Sequence, residues 1–123
     1  MASINPIVVI IEDEADVATF LARIVERRGF ESRVASSGKQ AFDIICHESD
    51  RICLVILDIL LPKESGGDVA KQILQKYPHI RIVVSTAISD YTYYKELMAL
   101  GVRTFLRKPY EISELDRVLK GEN

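Results

Sequence analysis

What the sequence has little of narrows the reading first. An excess of either sign of charge is missing, with 16 basic against 18 acidic residues. The formal net charge is −2 at pH 7, so there is no basic field to hold a phosphate backbone, and direct nucleic-acid binding is not expected. Long apolar runs are missing. None approaches the length of a membrane span, and the start lacks a charged segment followed by a signal-peptide core. No membrane association is expected. Cysteine is limited to Cys46 and Cys53, which have no metal-ligand spacing. They read as buried free thiols in a reducing cytoplasm, the expected location. Linkers, repeats and low-complexity segments are absent as well.

What is there fits one domain. The 123 residues are 48% hydrophobic and 28% charged, enough for one real core without staples. A single domain over residues 1–123 is expected, with 1–5 a loose tail. The last helical pattern uses up the chain, so no output domain is expected within it.

Short β-rich runs alternate with helical patterns. "IVVII" (Ile7 to Ile11) and "CLVIL" (Cys53 to Leu57) are unbroken apolar strands, as expected when both faces of a sheet are covered. "ESRVA" is weaker and reads as an edge. "IRIVVS" (Ile80 to Ser85) and "RTFL" (Arg103 to Leu106) complete the strands. Val17, Phe20, Leu21, Ile24 and Val25 form the stripe of the first helix, which Gly29 ends. Ser37 with Gln40 reads as a capping box for the second, whose stripe is Ala41, Ile44 and Ile45. Val69, Ile73, Leu74 and Tyr77 mark the third, which Pro78 stops. Tyr94, Leu97 and Met98 mark the fourth, leaving Tyr93 more exposed, either as a solvated tyrosine or as a partner anchor. Ile112, Leu115, Val118 and Leu119 mark the last. Strict alternation implies a doubly wound α/β fold: a parallel five-stranded sheet with helices on both faces.

In such a sheet, ligands bind beyond the carboxyl ends of the strands. The first polar residues after each strand are therefore informative. Glu12 and Asp13 follow the first strand, Asp58 the third, Ser85 and Thr86 end the fourth, and Lys108 follows the fifth. Asp58 stands between two apolar runs in "LVILDILLP". A carboxylate is costly to bury without a partner, so a strand mouth is its natural place. Singly, each residue has a plain alternative. Glu12 and Asp13 suit the positive end of a helix; Thr86 and Lys108 are ordinary at a strand end and a surface. Together they form a chemistry. Clustered carboxylates repel, and a divalent cation relieves the repulsion. A carboxylate can also attack phosphorus, with a fixed cation such as Lys108 on the phosphoryl oxygens.

The acidic pair "ED" (Glu12, Asp13), the aspartate of "LDILLP", "ST" followed by Ala87, and "KP" (Lys108, Pro109) together resemble a response-regulator receiver domain of two-component signalling, akin to the chemotaxis regulators. Pro62 and Gly66 also stand where the family has proline and glycine, and the resemblance runs from Ile7 to about Leu119. It implies a flavodoxin-like sheet of strand order 2-1-3-4-5. It implies a phosphoprotein rather than a conventional enzyme, with Asp58 accepting a phosphoryl group from a histidine kinase or phosphotransfer protein. Glu12, Asp13, Asp58 and the backbone carbonyl of Leu60 would hold Mg²⁺ (or Mn²⁺). Thr86 and Lys108 would bind the phosphoryl oxygens. Thr86 and Phe105 would switch a face made by the fourth helix, fifth strand and fifth helix toward a downstream protein effector, Phe105 having plain packing as its alternative. A cis Lys108–Pro109 bond and a monomer or phosphorylation-linked dimer are also implied. Leu60 and Ile88 stand where water would be approached, so slow self-dephosphorylation is expected.

The match is imperfect. Glu12 replaces a more usual aspartate, and "PKESGG" replaces the usual run after the proline, which bears on loop mobility and kinase choice. Two other readings share the fold. One is a flavodoxin-like cofactor binder, which the acidic Glu12, Asp13 and Glu14 disfavour because they repel a bare phosphate. The other is a receiver fold used only for interaction, which the intact acidic pair, Asp58 and Lys108 disfavour.

Overall fold

The computed structural model describes residues 5–87 and 91–121. The elements run β1 (Ile7–Ile11), α1 (Ala15–Arg27), β2 (Glu31–Ala35), α2 (Gly38–Glu48), β3 (Ile52–Asp58), α3 (Gly66–Lys76), β4 (Arg81–Thr86), α4 (Tyr91–Leu100), β5 (Thr104–Arg107) and α5 (Ile112–Leu119). The five strands form one parallel sheet, ordered β2-β1-β3-β4-β5. The weak run β2 is indeed at an edge. The chain moves outward from β1 to β2, then returns past β1 to β3. The strand order therefore reverses between β1 and β3.

Strand periodicity explains the unbroken apolar runs. Successive side chains point to opposite faces, so each run feeds two cores. Val8, Ile10, Leu54, Ile56, Val83 and Leu106 pack with α1 and α5. Ile7, Val9, Ile11, Val55, Leu57 and Val84 pack with α2, α3 and α4. Each such side chain contributes about 1.5–3 kcal/mol by leaving water. Central strands can therefore carry no polar residue until their ends.

The helix stripes differ from expectation at their margins. The first helix buries Ala18, Leu21, Ile24 and Val25, and Phe20 is 49% exposed. Residues one apart on a helix are turned by about 100°, so with Leu21 at the centre Phe20 falls to the side. In α5, Leu115, Val118 and Leu119 are buried, while Ile112 in the first turn is 49% exposed. In α4, Leu97 is buried and Met98 is exposed. Tyr93, one turn before Leu97, packs against the core rather than standing free. Tyr94 instead meets Phe105 edge to face, with ring centroids 5.1 Å apart.

The cysteines are free but exposed, not buried. Ile7 pairs with Ile52, yet Val8 pairs with Leu54, so Cys53 is the extra residue of a bulge. Cys46 lies on the outer side of α2, where the stripe is Ala41 and Ile45. The second helix is capped, but not by a reciprocal box. Ser37 Oγ accepts from the Gln40 N–H, while Gln40 Oε1 accepts from the Ser36 N–H.

Candidate functional site

Strand register brings the polar residues together. Ile11 pairs with Leu57, so their successors, Glu12 and Asp58, emerge side by side. Asp58 pairs with Ser85, and Thr86 pairs with Arg107, whose successor is Lys108. The backbone holds this edge closed. The Glu12 N–H donates to Ala35 O, the Ile59 N–H to Ser85 O, and the Lys108 N–H to Thr86 O at 2.7 Å. The Lys108–Pro109 peptide is cis, as the resemblance implied.

Carboxylate oxygens of Glu12, Asp13 and Asp58 lie within 4.8 Å of one another. The environments of the three differ. Glu12 and Asp58 are buried, at 3% and 6% exposure, whereas Asp13 is exposed. Glu12 Oε2 accepts from the Glu14 N–H at 3.2 Å. Asp58 Oδ1 accepts from the Leu60 N–H at 3.1 Å. Lys108 Nζ bridges the pair, 3.3 Å from Glu12 Oε1 and 3.5 Å from Asp58 Oδ2.

One lysine does not neutralise this cluster. Burial pushes the Glu12 carboxyl up to about 7, and the adjacent Asp58 adds to it; the Glu14 N–H and Lys108 pull the other way and lose. For Lys108, burial opposes the charged form, but the Asp58 and Glu12 carboxylates outweigh it and the ammonium is held above its usual range. The site is thus short of positive charge. Its donors are hard oxygens, which is the chemistry of a magnesium-type cation. The three carboxylates fit such an ion.

The other expected residues divide. Thr86 is buried at the end of β4, 1% exposed. Phe105 is half-buried on β5 against Tyr94. Leu60 is 56% exposed, just beyond Asp58. Ile88 lies outside the described residues. Two supports hold the loop between β3 and α3; sequence reasoning placed Gly66 by resemblance without its physical reason and missed Glu64. Gly66 lies so close to Ile59 that a Cβ would stand 2.4 Å from the Ile59 carbonyl oxygen. Glu64 Oε2 accepts the Gly38 N–H at 2.8 Å, across 26 residues of sequence. The glycine pair in "ESGG" hinted at the first; nothing local signals the second.

A family model described as the response regulator receiver domain matches residues 8–120. The chain belongs to this family. It is a receiver domain of two-component signalling. The chain is 28% identical over 116 residues to sporulation initiation phosphotransferase F of Bacillus subtilis, covering 94% of this chain and 92% of that protein. It is 31% identical over 117 residues to the alkaline phosphatase synthesis transcriptional regulatory protein PhoP of the same organism, covering 94% of this chain but 48% of PhoP. Among solved structures, a receiver domain protein from Clostridium thermocellum superposes with a TM-score of 0.87 at 27% identity, covering 94% of this chain and 92% of that one. The CheX–CheY–BeF3–Mg²⁺ complex from Borrelia burgdorferi matches with a TM-score of 0.86 at 25% identity, covering 94% of this chain and 88% of that one. Among the described residues, no helix is long and apolar enough to cross a membrane.

Proposed function

We propose that this receiver domain takes a phosphoryl group onto Asp58 from a histidine kinase or phosphotransfer protein in the cytoplasm. The observation that carries the reading is the placement of a buried Asp58 between an acidic pair and Lys108 at the strand mouths. An Asp58 carboxylate oxygen attacks phosphorus, the phosphorus–nitrogen bond to the donor imidazole breaks, and the imidazole nitrogen keeps the electron pair and takes a proton. Glu12, Asp13, Asp58 and the Leu60 carbonyl would hold Mg²⁺ (or Mn²⁺), which supplies charge stabilisation for the phosphoryl oxygens when bound. Lys108 contributes a second, permanent positive charge, and the Thr86 hydroxyl donates to a phosphoryl oxygen.

The signal leaves through Thr86 and Phe105. A hydroxyl drawn toward the phosphoryl group vacates space beside β4. Phe105 then turns inward and leaves Tyr94, which changes the face made by α4, β5 and α5 toward a downstream effector. The chain acts as one domain, as a monomer or a phosphorylation-linked dimer. Its reset is slow. Water must attack phosphorus opposite the Asp58 oxygen, releasing phosphate and restoring the carboxylate, and Leu60 and Ile88 offer no group to orient it. The test is incubation with acetyl phosphate, with and without Mg²⁺, read by intact mass. One phosphate is expected on the wild type with Mg²⁺ and none on Asp58→Asn. Equal labelling of both proteins would overturn the reading.

A further inference from the structure

The loop between Asp58 and α3 is closed at its base and held again at Glu64, on its returning limb. At the base, Gly66 packs on the Ile59 backbone, so the loop leaves and returns at one point. Beyond that base, Pro62, Lys63, Glu64 and Ser65 are all exposed, and Leu61 alone enters the core. Leu60 is exposed too, and its N–H donates to Asp58 Oδ1. Ser65 joins the loop to α3, its Oγ accepting the Asp68 N–H as the helix cap, and a second hold reaches further. The Glu64 carboxylate reaches across to α2 and accepts the N–H of Gly38, the first residue of that helix. A carboxylate is well placed there, where the helix dipole and an unsatisfied N–H both favour an anion. Gly38 leaves the room for it. A Cβ at Gly38 would stand 2.5 Å from Glu64 Oε1 and 2.8 Å from Val69 Cγ2.

We infer that Glu64 is a positioning residue: its tie to Gly38 fixes the β3–α3 loop, and through it sets Leu60 over the Asp58 site. The inference deepens the proposed function and rests on it for the role of Leu60 toward the cation and the attacking water. Without the tie, the exposed stretch from Pro62 to Glu64 is left to its two ends, Leu61 in the core and Ser65 with Gly66 at the start of α3, and movement on the Leu60–Leu61 side is no longer restrained. The Leu60 N–H then spends more time away from Asp58 Oδ1, its carbonyl is less well placed for a cation, and its side chain excludes water less well. Helix α2 would lose little, because Ser37 still caps it through the Gln40 N–H.

The experiment compares wild type, Glu64→Ala, Glu64→Gln, Gly38→Ala and Ser37→Ala. Amide hydrogen exchange at Leu60 is read without metal, and Mg²⁺ binding by calorimetry with MgCl₂ alone. The phosphoryl lifetime is read after labelling with acetyl phosphate. Glu64→Ala should speed Leu60 exchange and weaken Mg²⁺ binding, each roughly tenfold, the lower end of what outer-shell partners of metal ligands are worth. Glu64→Gln keeps an acceptor oxygen and should recover most of the loss. Gly38→Ala displaces the carboxylate and should behave as Glu64→Ala does, although alanine is the better helix former. Ser37→Ala should lower the melting temperature and leave Leu60 exchange and Mg²⁺ affinity at wild-type values. The inference is overturned if Glu64→Ala leaves both unchanged, or if Ser37→Ala alters them equally. Absence of any phosphoryl label on wild type would instead defeat the Asp58 reading, while exchange and Mg²⁺ binding would still decide the role of Glu64.

Discussion

Replacing Glu12 by Gln should stabilise the metal-free protein, by an amount set by pH. Glu12 is nearly inaccessible, and burial with Asp58 beside it lifts its carboxyl from 4.5 to about 7. The folded state therefore binds this proton more tightly than the unfolded chain does. The favourable contribution is complete below about 4.5 and is lost as pH rises through about 7. Above that, wild type folds with a buried, poorly compensated negative charge. At 1.36 kcal/mol per pKa unit, the shift amounts to about 3 kcal/mol. Gln cannot ionise and can still accept the Glu14 N–H. Glu12→Gln should match wild type near pH 4.5 and exceed it by about 3 kcal/mol at pH 8, a gain of roughly 1.5–2 M in urea midpoint for a chain of this size. Saturating Mg²⁺ should erase or reverse the gain, because wild type then has its counter-ion. Urea melts from pH 4.5 to 8, with chelator and with Mg²⁺, test this. The same offset at every pH, or no gain at pH 8, would refute the argument that charge density at the strand mouths limits stability. Asp13 makes the comparison sharper: it belongs to the same cluster but is exposed, so Asp13→Asn should gain less than Glu12→Gln.

Gly66→Ala should destabilise by about 2–3 kcal/mol, the scale of overpacking, because its Cβ would meet the Ile59 backbone; an unchanged urea midpoint would mean the loop base gives way freely. Leu60→Asn combined with Ile88→Glu should shorten the phosphoryl lifetime, measured as decay of the phosphorylated mass after the donor is removed. A double variant no faster than wild type would show that water enters by another route. Both thiols should react with Ellman's reagent in the native protein, since Cys46 and Cys53 are exposed. Cys53 should react more slowly, because its sulfur, though the residue is exposed, lies partly covered against Ile7 O at 3.6 Å, and this covering raises the thiol pKa. Reaction only after denaturation would contradict their placement.

The fold was legible because its signals are redundant. "IVVII" and "CLVIL" are apolar throughout, a pattern few elements but doubly covered strands produce, and parallel register then carried Glu12 beside Asp58 without further information. Helix faces were legible at their centres and not at their margins. Phe20, Met98 and Ile112 are apolar residues near a stripe, and which of them turn outward depends on how far each helix is rotated on the sheet. The cysteines turn outward for two reasons: Cys46 sits one residue past the Ile45 stripe on α2, and a bulge at Cys53 shifts pairing by one residue, which no residue type announces. Within the site, residue types pointed to the chemistry, but the division of labour needed coordinates. Burial and the contacts to Lys108 and the Glu14 N–H set Glu12 apart from Asp13, and the Glu64 tie joins residues that no periodicity relates.

The central claim is that Asp58 is the one carboxylate that takes the phosphoryl group. Borohydride reduces an acyl phosphate to an alcohol and leaves free carboxylates intact, so it marks the acceptor chemically. The protein is labelled with acetyl phosphate and Mg²⁺, quenched with borohydride, digested and mapped by mass. The account predicts one reduced residue, at position 58, absent when Mg²⁺ is chelated. Reduction at Glu12, Asp13 or any other carboxylate, or none at position 58 in a protein that has gained phosphate, would contradict it.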